Sequence, residues 1–163
     1  MKYLFFSLFV LIILLSINTQ NSFAKNYKYK SAKVEFTLPE PWETDNDNDM
    51  FIAYIPKEND SLIFSLINAT DLETAYKEAK SLLKNKFQNI QITEPQEADF
   101  NNMAGYNFDA ETQIQGLTLI INADLIITPS SKILFFYGYG ESELMKKYHI
   151  TIDKIVKSIR PIK

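Results

Sequence analysis

Cysteine is absent from all 163 residues, which removes disulfides, thiolate metal sites, cysteine nucleophiles and acyl attachment to an N-terminal cysteine together. Histidine occurs once, at His149, and tryptophan once, at Trp42. Any Ser-His-acid arrangement must therefore use His149, yet no serine stands in a Gly-x-Ser-x-Gly elbow. Glycine is scarce, with four residues. The nearest approach to a dinucleotide loop is Gly138-Tyr139-Gly140, where Glu143 occupies the place of the third glycine, so the segment reads as a strand-to-helix turn. An excess of positive charge is missing too: 17 Lys and Arg face 20 Asp and Glu, for a net charge of −3. Nucleic acid is not an expected partner.

Long apolar runs are limited to one, Leu4 to Ile17, which is shorter than the roughly 20 residues of a membrane-spanning helix. Lys2 precedes it, and Ser22-Phe23-Ala24 follows as a small-x-small site before Lys25. That pattern predicts a secretory signal peptide over 1–24, cleaved after Ala24, and a single domain over 25–163; an uncleaved anchor is the alternative. A cysteine-free exported chain rich in Asn, Lys and Ile fits a bacterial envelope, periplasmic or secreted. Asn68-Ala69-Thr70 would accept a glycan only in a eukaryotic route.

What is present is ring-rich and strand-rich. Hydrophobic residues make up 46% of the chain, enough for one core, and aromatic residues 13%. Tyr106 to Gln113, Leu117 to Thr128 and Ile133 to Tyr139 read as a three-strand meander, with turns at Gly116 and at Pro129-Ser130-Ser131. Earlier, Tyr27 to Tyr29 and Val34 to Leu38 form an amphipathic strand or an interrupted pair, ended by Pro39 and Pro41. Asp45 to Asp49 reads as a polar turn, and Met50 to Ile55 with Ser61 to Ile67 as a hairpin.

Thr70-Asp71-Leu72-Glu73 has capping-box spacing and starts a helix whose apolar stripe is Leu72, Ala75, Tyr76, Ala79, Leu82, Leu83 and Phe87. Gln91 and Ile92 lie in a short strand broken by Pro95, and Ala98 to Phe100 read as the start of another before the meander. After it, Gly138 to Gly140 is expected to break the strand, and Ser142 to cap a last helix with Leu144, Tyr148, Ile152, Ile155, Val156 and Ile159 buried. Strands, helix, strands, helix, without βαβ alternation, predict an α+β fold in which a mostly antiparallel β-sheet is flanked by two helices.

Phe36-x-Leu38-Pro39-x-x-Trp42, a helix, the strand entry Ala104-Gly105-Tyr106-x-Phe108, a long hairpin and a last helix running into Ser158-Ile159 together resemble the PsbP/DcrB/Mog1-like superfamily. The resemblance spans most of residues 26 to 162. It implies a PsbP/Mog1-like sheet with helices. Members include extrinsic photosystem II subunits, a nuclear Ran-binding protein and bacterial envelope lipoproteins, so the fold implies no single activity. This chain departs from the lipoproteins in lacking the lipid-bearing cysteine.

Chemistry finds few footholds. Asp45, Asp47 and Asp49 have the alternate spacing of a calcium loop, but Met50 and Pro56 stand where its glycine and its bidentate glutamate belong, so a solvated turn is expected and no metal site. His149 reads as a helix-boundary residue, and the acidic residues fall mainly in loops and on wet faces, with no pair isolated for acid/base work. No catalytic residue and no cofactor is assigned. Lys146, Lys147, Lys154, Lys157, Arg160 and Lys163 make the last helix basic, which allows weak membrane-surface contact, although a solvated face is the simpler reading. Trp42, Tyr137 and Tyr139 are the ligand-binding candidates, as rings lining a cleft between sheet and helix. The expected function is a non-enzymatic envelope module that works by binding a protein, with a carrier of a small apolar ligand as the alternative.

Overall fold

The computed structural model describes residues 24–47, 50–58 and 61–162. The expected signal peptide through residue 23, and Asp49 of the acidic turn, lie outside these residues.

The N-terminal pair is a hairpin. β1 (Ala24–Tyr29) and β2 (Val34–Pro39) run antiparallel around a single 3-10 turn, Lys30–Ala32, that ends with Lys33 in the left-handed region at φ 54°. The hairpin does not join the main sheet. With the short C-terminal β11 (Arg160–Pro161) it makes a separate three-stranded sheet in the order β1-β2-β11. Val34, Phe36 and Leu38 on its inner face are all buried. Their period of two demanded a covered face but could not say which element covers it.

The main sheet is eight-stranded. It is built from β3 (Glu43–Asp47), β4 (Met50–Tyr54), β5 (Ser61–Ile67), β6 (Gln91–Ile92), β7 (Gln96–Asp99), β8 (Ala104–Ile114), β9 (Leu117–Ile127) and β10 (Ile133–Glu141). Its order is β3-β4-β5-β10-β9-β8-β6, with β7 also on β8, and every described ladder is antiparallel. Gln115 and Gly116, at φ 53° and 83°, make the two-residue β8–β9 turn, the primed geometry that matches the twist of the flanking strands.

The sheet departs from the sequence expectation in two segments. The acidic stretch is largely strand: Asp45 and Asp47 lie in β3, across from Ile52 and Met50, because a polar edge strand needs only backbone pairing on one side. Nor does Gly138-Tyr139-Gly140 break β10. Ladders on both sides, Gly138 facing Leu62 on β5 and Asn122 on β9, hold it extended through Glu141, and tertiary pairing overrides glycine's weak strand propensity.

Helix α1 (Leu72–Lys86) is capped by Asp71, whose carboxylate accepts the Thr74 amide at 2.8 Å. The capping residue is thus Asp71 and not Thr70, whose hydroxyl instead donates to Asp71. Ala75, Tyr76, Ala79 and Leu83 are buried, whereas Leu82 is 46% exposed. Helix α2 (Ser142–Ser158) begins after Glu141, with Ser142 inside the helix rather than at its cap. It buries Met145, Ile152 and Ile155, followed by Ile159, while Leu144, Tyr148 and Val156 are half-buried.

The sheet therefore has a core on each face. α1 covers Ile63, Phe108, Ile121, Leu125 and Phe135. α2 and the small sheet cover Phe51, Leu62, Phe64, Leu134 and Phe136, where Phe36 stacks on Phe64 with centroids 4.3 Å apart. At about 25 cal/mol per Å² of apolar area removed from water, these two layers supply the main stabilising term of a chain that has no disulfide.

Candidate functional site

Residues 39–42 turn sharply out of β2, through a cis Glu40–Pro41 bond, and close with the Trp42 amide on the Pro39 carbonyl at 3.1 Å. The turn brings the indole of Trp42 down onto the end of the core, where it is buried. Its edge meets Tyr148 of α2 with ring centroids 6.4 Å apart and planes at 77°, the edge-to-face arrangement that aromatic quadrupoles favour.

Tyr148 is itself fixed at its far end. Its hydroxyl donates to Glu58 Oε1 at 2.9 Å, and Lys147 Nζ donates to the same oxygen at 3.0 Å while lying 4.6 Å over the Tyr148 ring. Those two donors, Lys147 first, hold the Glu58 carboxyl below the usual carboxylate range. A glutamate in the β4–β5 loop, a lysine and two aromatic rings thus lock one another in place.

Between the Pro39–Trp42 turn and α2 lies a groove of about 570 Å³, with Ile155 on its floor side and Thr37, Thr151, Lys154 and Ser158 among its lining. Ser158 ties the walls together: its hydroxyl accepts the Thr37 amide at 2.9 Å and donates to the Ile155 carbonyl at 2.6 Å. The groove offers rigid rings and two prolines inside, with hydroxyls and one ammonium along the rims. Among the described residues that line it, no nucleophile is paired with a base.

The three sequence candidates are not brought together. Trp42 belongs to the core on the α2 side of the sheet, Tyr137 and Tyr139 to that on the α1 side. There they stack at 6.3 Å and surround Lys86, whose Nζ lies 4.6 Å from the Tyr139 centroid and 3.3 Å from the Tyr137 hydroxyl. Burial lowers the Lys86 ammonium pKa and pushes the Tyr137 hydroxyl up to about 12. These two tyrosines are taken up by a lysine of the chain itself. Alternation along β10 carries that signal, since Tyr137 and Tyr139 share the parity of Ile133 and Phe135.

His149 is exposed on α2. Among the described residues no group of three acidic, histidine or cysteine side chains is arranged to hold a metal. Three lysines of the basic helix are in ion pairs, Lys146 with Glu143, Lys147 with Glu58 and Lys157 with Asp153. One acidic residue departs from the wet-face expectation: Asp124, in the middle of β9, is buried.

No protein-family model matches the chain, and no curated protein matches it by sequence. Solved structures match it in shape. The Ran-binding protein Mog1p of Saccharomyces cerevisiae superposes with a TM-score of 0.59 at 9% identity, over 86% of this chain and 96% of its own. CyanoP, the cyanobacterial PsbP of Synechocystis, does so with a TM-score of 0.60 at 13% identity, over 88% of this chain and 95% of its own. The fold is PsbP/Mog1-like. LpqN of Mycobacterium tuberculosis, described as involved in cell envelope biogenesis, shares it with a TM-score of 0.59 at 11% identity, over 87% of this chain and 88% of its own. At such identities the likeness is one of backbone, and the PsbP/Mog1-like frame leaves function to the side chains grafted on it.

Proposed function

We propose that this chain is an exported, non-catalytic envelope module that binds a protein partner through the Trp42–Tyr148 groove. The observation that carries the reading is the locked ring pair, with Tyr148 held between Trp42 and Glu58. Large aromatic anchors that lose no rotamer freedom on binding are the usual energetic centre of a protein interface. The hydroxyls and Lys154 along the rims suit the backbone and side-chain polar groups of a peptide segment better than a wholly apolar ligand. Export is supported by the Lys2, Leu4 to Ile17 and Ser22-Phe23-Ala24 pattern, and an envelope role accords with LpqN sharing the fold. The ion pairs along α2 leave membrane-surface contact as a weak contribution.

A photoreactive side chain placed at Thr151 tests this directly. In envelope extract it should give a covalent adduct with one discrete protein, and Lys154→Glu should diminish that adduct. A small apolar molecule extracted from the purified protein at near-stoichiometric yield would instead establish the carrier reading.

A further inference from the structure

On the opposite flank of α2 the sheet face carries a carboxylate that nothing in the fold answers. Asp124 stands in register with Asn107 on β8 and Phe136 on β10. Its residue is 6% exposed, yet among the described residues no hydrogen bond or ion pair reaches its side chain. Burial first, and then the charge of Asp109, push its carboxyl up to about 7. Buried polar groups are nearly always paired, and a carboxylate is the costliest to leave alone.

Asp124 lines a cleft of about 570 Å³ between the turn at 99–102 and the last turns of α2. Asp99 at the end of β7 and Asp153 and Lys157 on α2 line the same cleft, Asp109 on β8 acts on Asp124 from beside it, and Phe136 brings no charge from β10. Lys157 is spent on Asp153 at 2.7 Å, so the cleft is left with negative potential. Its carboxylates do not converge as a metal set. Phe100 and Val156 supply apolar wall on the way in. The turn is fixed to the helix by Asn101, which donates to the Lys157 and Ile159 carbonyls at 2.9 and 2.8 Å.

We propose that this cleft seats an organic cation, an alkylammonium or alkylguanidinium group, with its nitrogen on the Asp124 carboxylate and its methylene stem along Phe100 and Val156. A stem-and-head cation is what an apolar wall ending in a buried carboxylate complements. The head completes the hydrogen bonding of Asp124 and offsets the charge of Asp109, and it favours the ionised carboxyl. Two sources offer this chemistry, a basic side chain of a protein partner and a free polyamine. The site is distinct from the Trp42 groove, so either can fail without the other.

The test is a pH titration of the Asp124 carboxyl carbon by NMR in the full chain, without and with N-acetylarginine methylamide, N-acetyllysine methylamide or spermidine. A saturating probe should lower the Asp124 midpoint by about one unit or more, bind about tenfold or more tightly at pH 8 than at pH 5, and lose about tenfold affinity in Asp124→Asn. A response to the amino-acid probes alone assigns the site to a basic side chain, and a response to spermidine alone to a free polyamine. No midpoint shift with any probe, or unchanged affinity in a folded Asp124→Asn, overturns the proposal. If that variant does not fold, the midpoint in the parent chain decides.

Discussion

Asp124 makes the fold pay in a way that pH can read. Its carboxyl ionises near 3.8 when exposed but at about 7 in the folded chain, so between those values the native state holds a proton that the unfolded state has lost. Its contribution to stability is full below pH 4 and is lost as pH rises to 7. Asp124→Asn keeps the shape and removes the ionisation. The variant should therefore gain on the parent by about 1.4 kcal/mol per pH unit at most, roughly 3–4 kcal/mol in all, with the difference level above pH 8. Urea unfolding of both proteins at pH 4, 6 and 8 checks it, and a constant difference across that range would contradict the burial of this group. The sequence held half of this. Parity along β9 puts Asp124 on the face of Ile120 and Ile126, but only the packing of α2 and the β7–β8 turn over that face makes the position dry. Trp42 and Tyr148 were equally visible as rings, with nothing local to show that the Pro39–Trp42 turn and α2 would meet.

At the level of elements, signals that repeat along the chain were legible and signals that depend on a distant neighbour were not. The meander, the β4–β5 hairpin and the faces of α1 and α2 follow from periods of two and 3.6, which a strand or helix imposes on its own residues. The separate sheet of β1, β2 and β11 has no such mark, because Arg160 opposite Glu35 is a pairing across most of the chain. The same holds for the end of α2. Asn101 caps it from a turn, with its own backbone at φ 55°. Asn101→Gly keeps that backbone and loses two side-chain hydrogen bonds, which should cost roughly 1 kcal/mol. Asn101→Ala adds left-handed strain and should cost roughly 1 kcal/mol more. Thermal unfolding of the pair separates the two effects; equal losses would mean that the cap alone matters.

The described residues build two cores, one on each face of the main sheet, without a covalent staple. Export with cleavage after Ala24 should yield a chain that starts at Lys25, and intact mass of the envelope protein decides it; a mass that includes Met1 favours the anchor. Ala24 is the first residue of β1, opposite Pro39, and lines the Trp42 groove, so processing at that bond would also trim the groove's rim.

Helix α2 is the wall that the groove and the acidic cleft share. It presents Ile155 and Ser158 to the groove, and Val156 and Lys157, one residue along, to the acidic cleft. Were both proposed guests to bind, any displacement of α2 by one would be felt by the other. Whatever factor the first guest applies to the affinity of the second, the second must return to the first. Two pockets that share no lining residue would then answer each other through one shared wall.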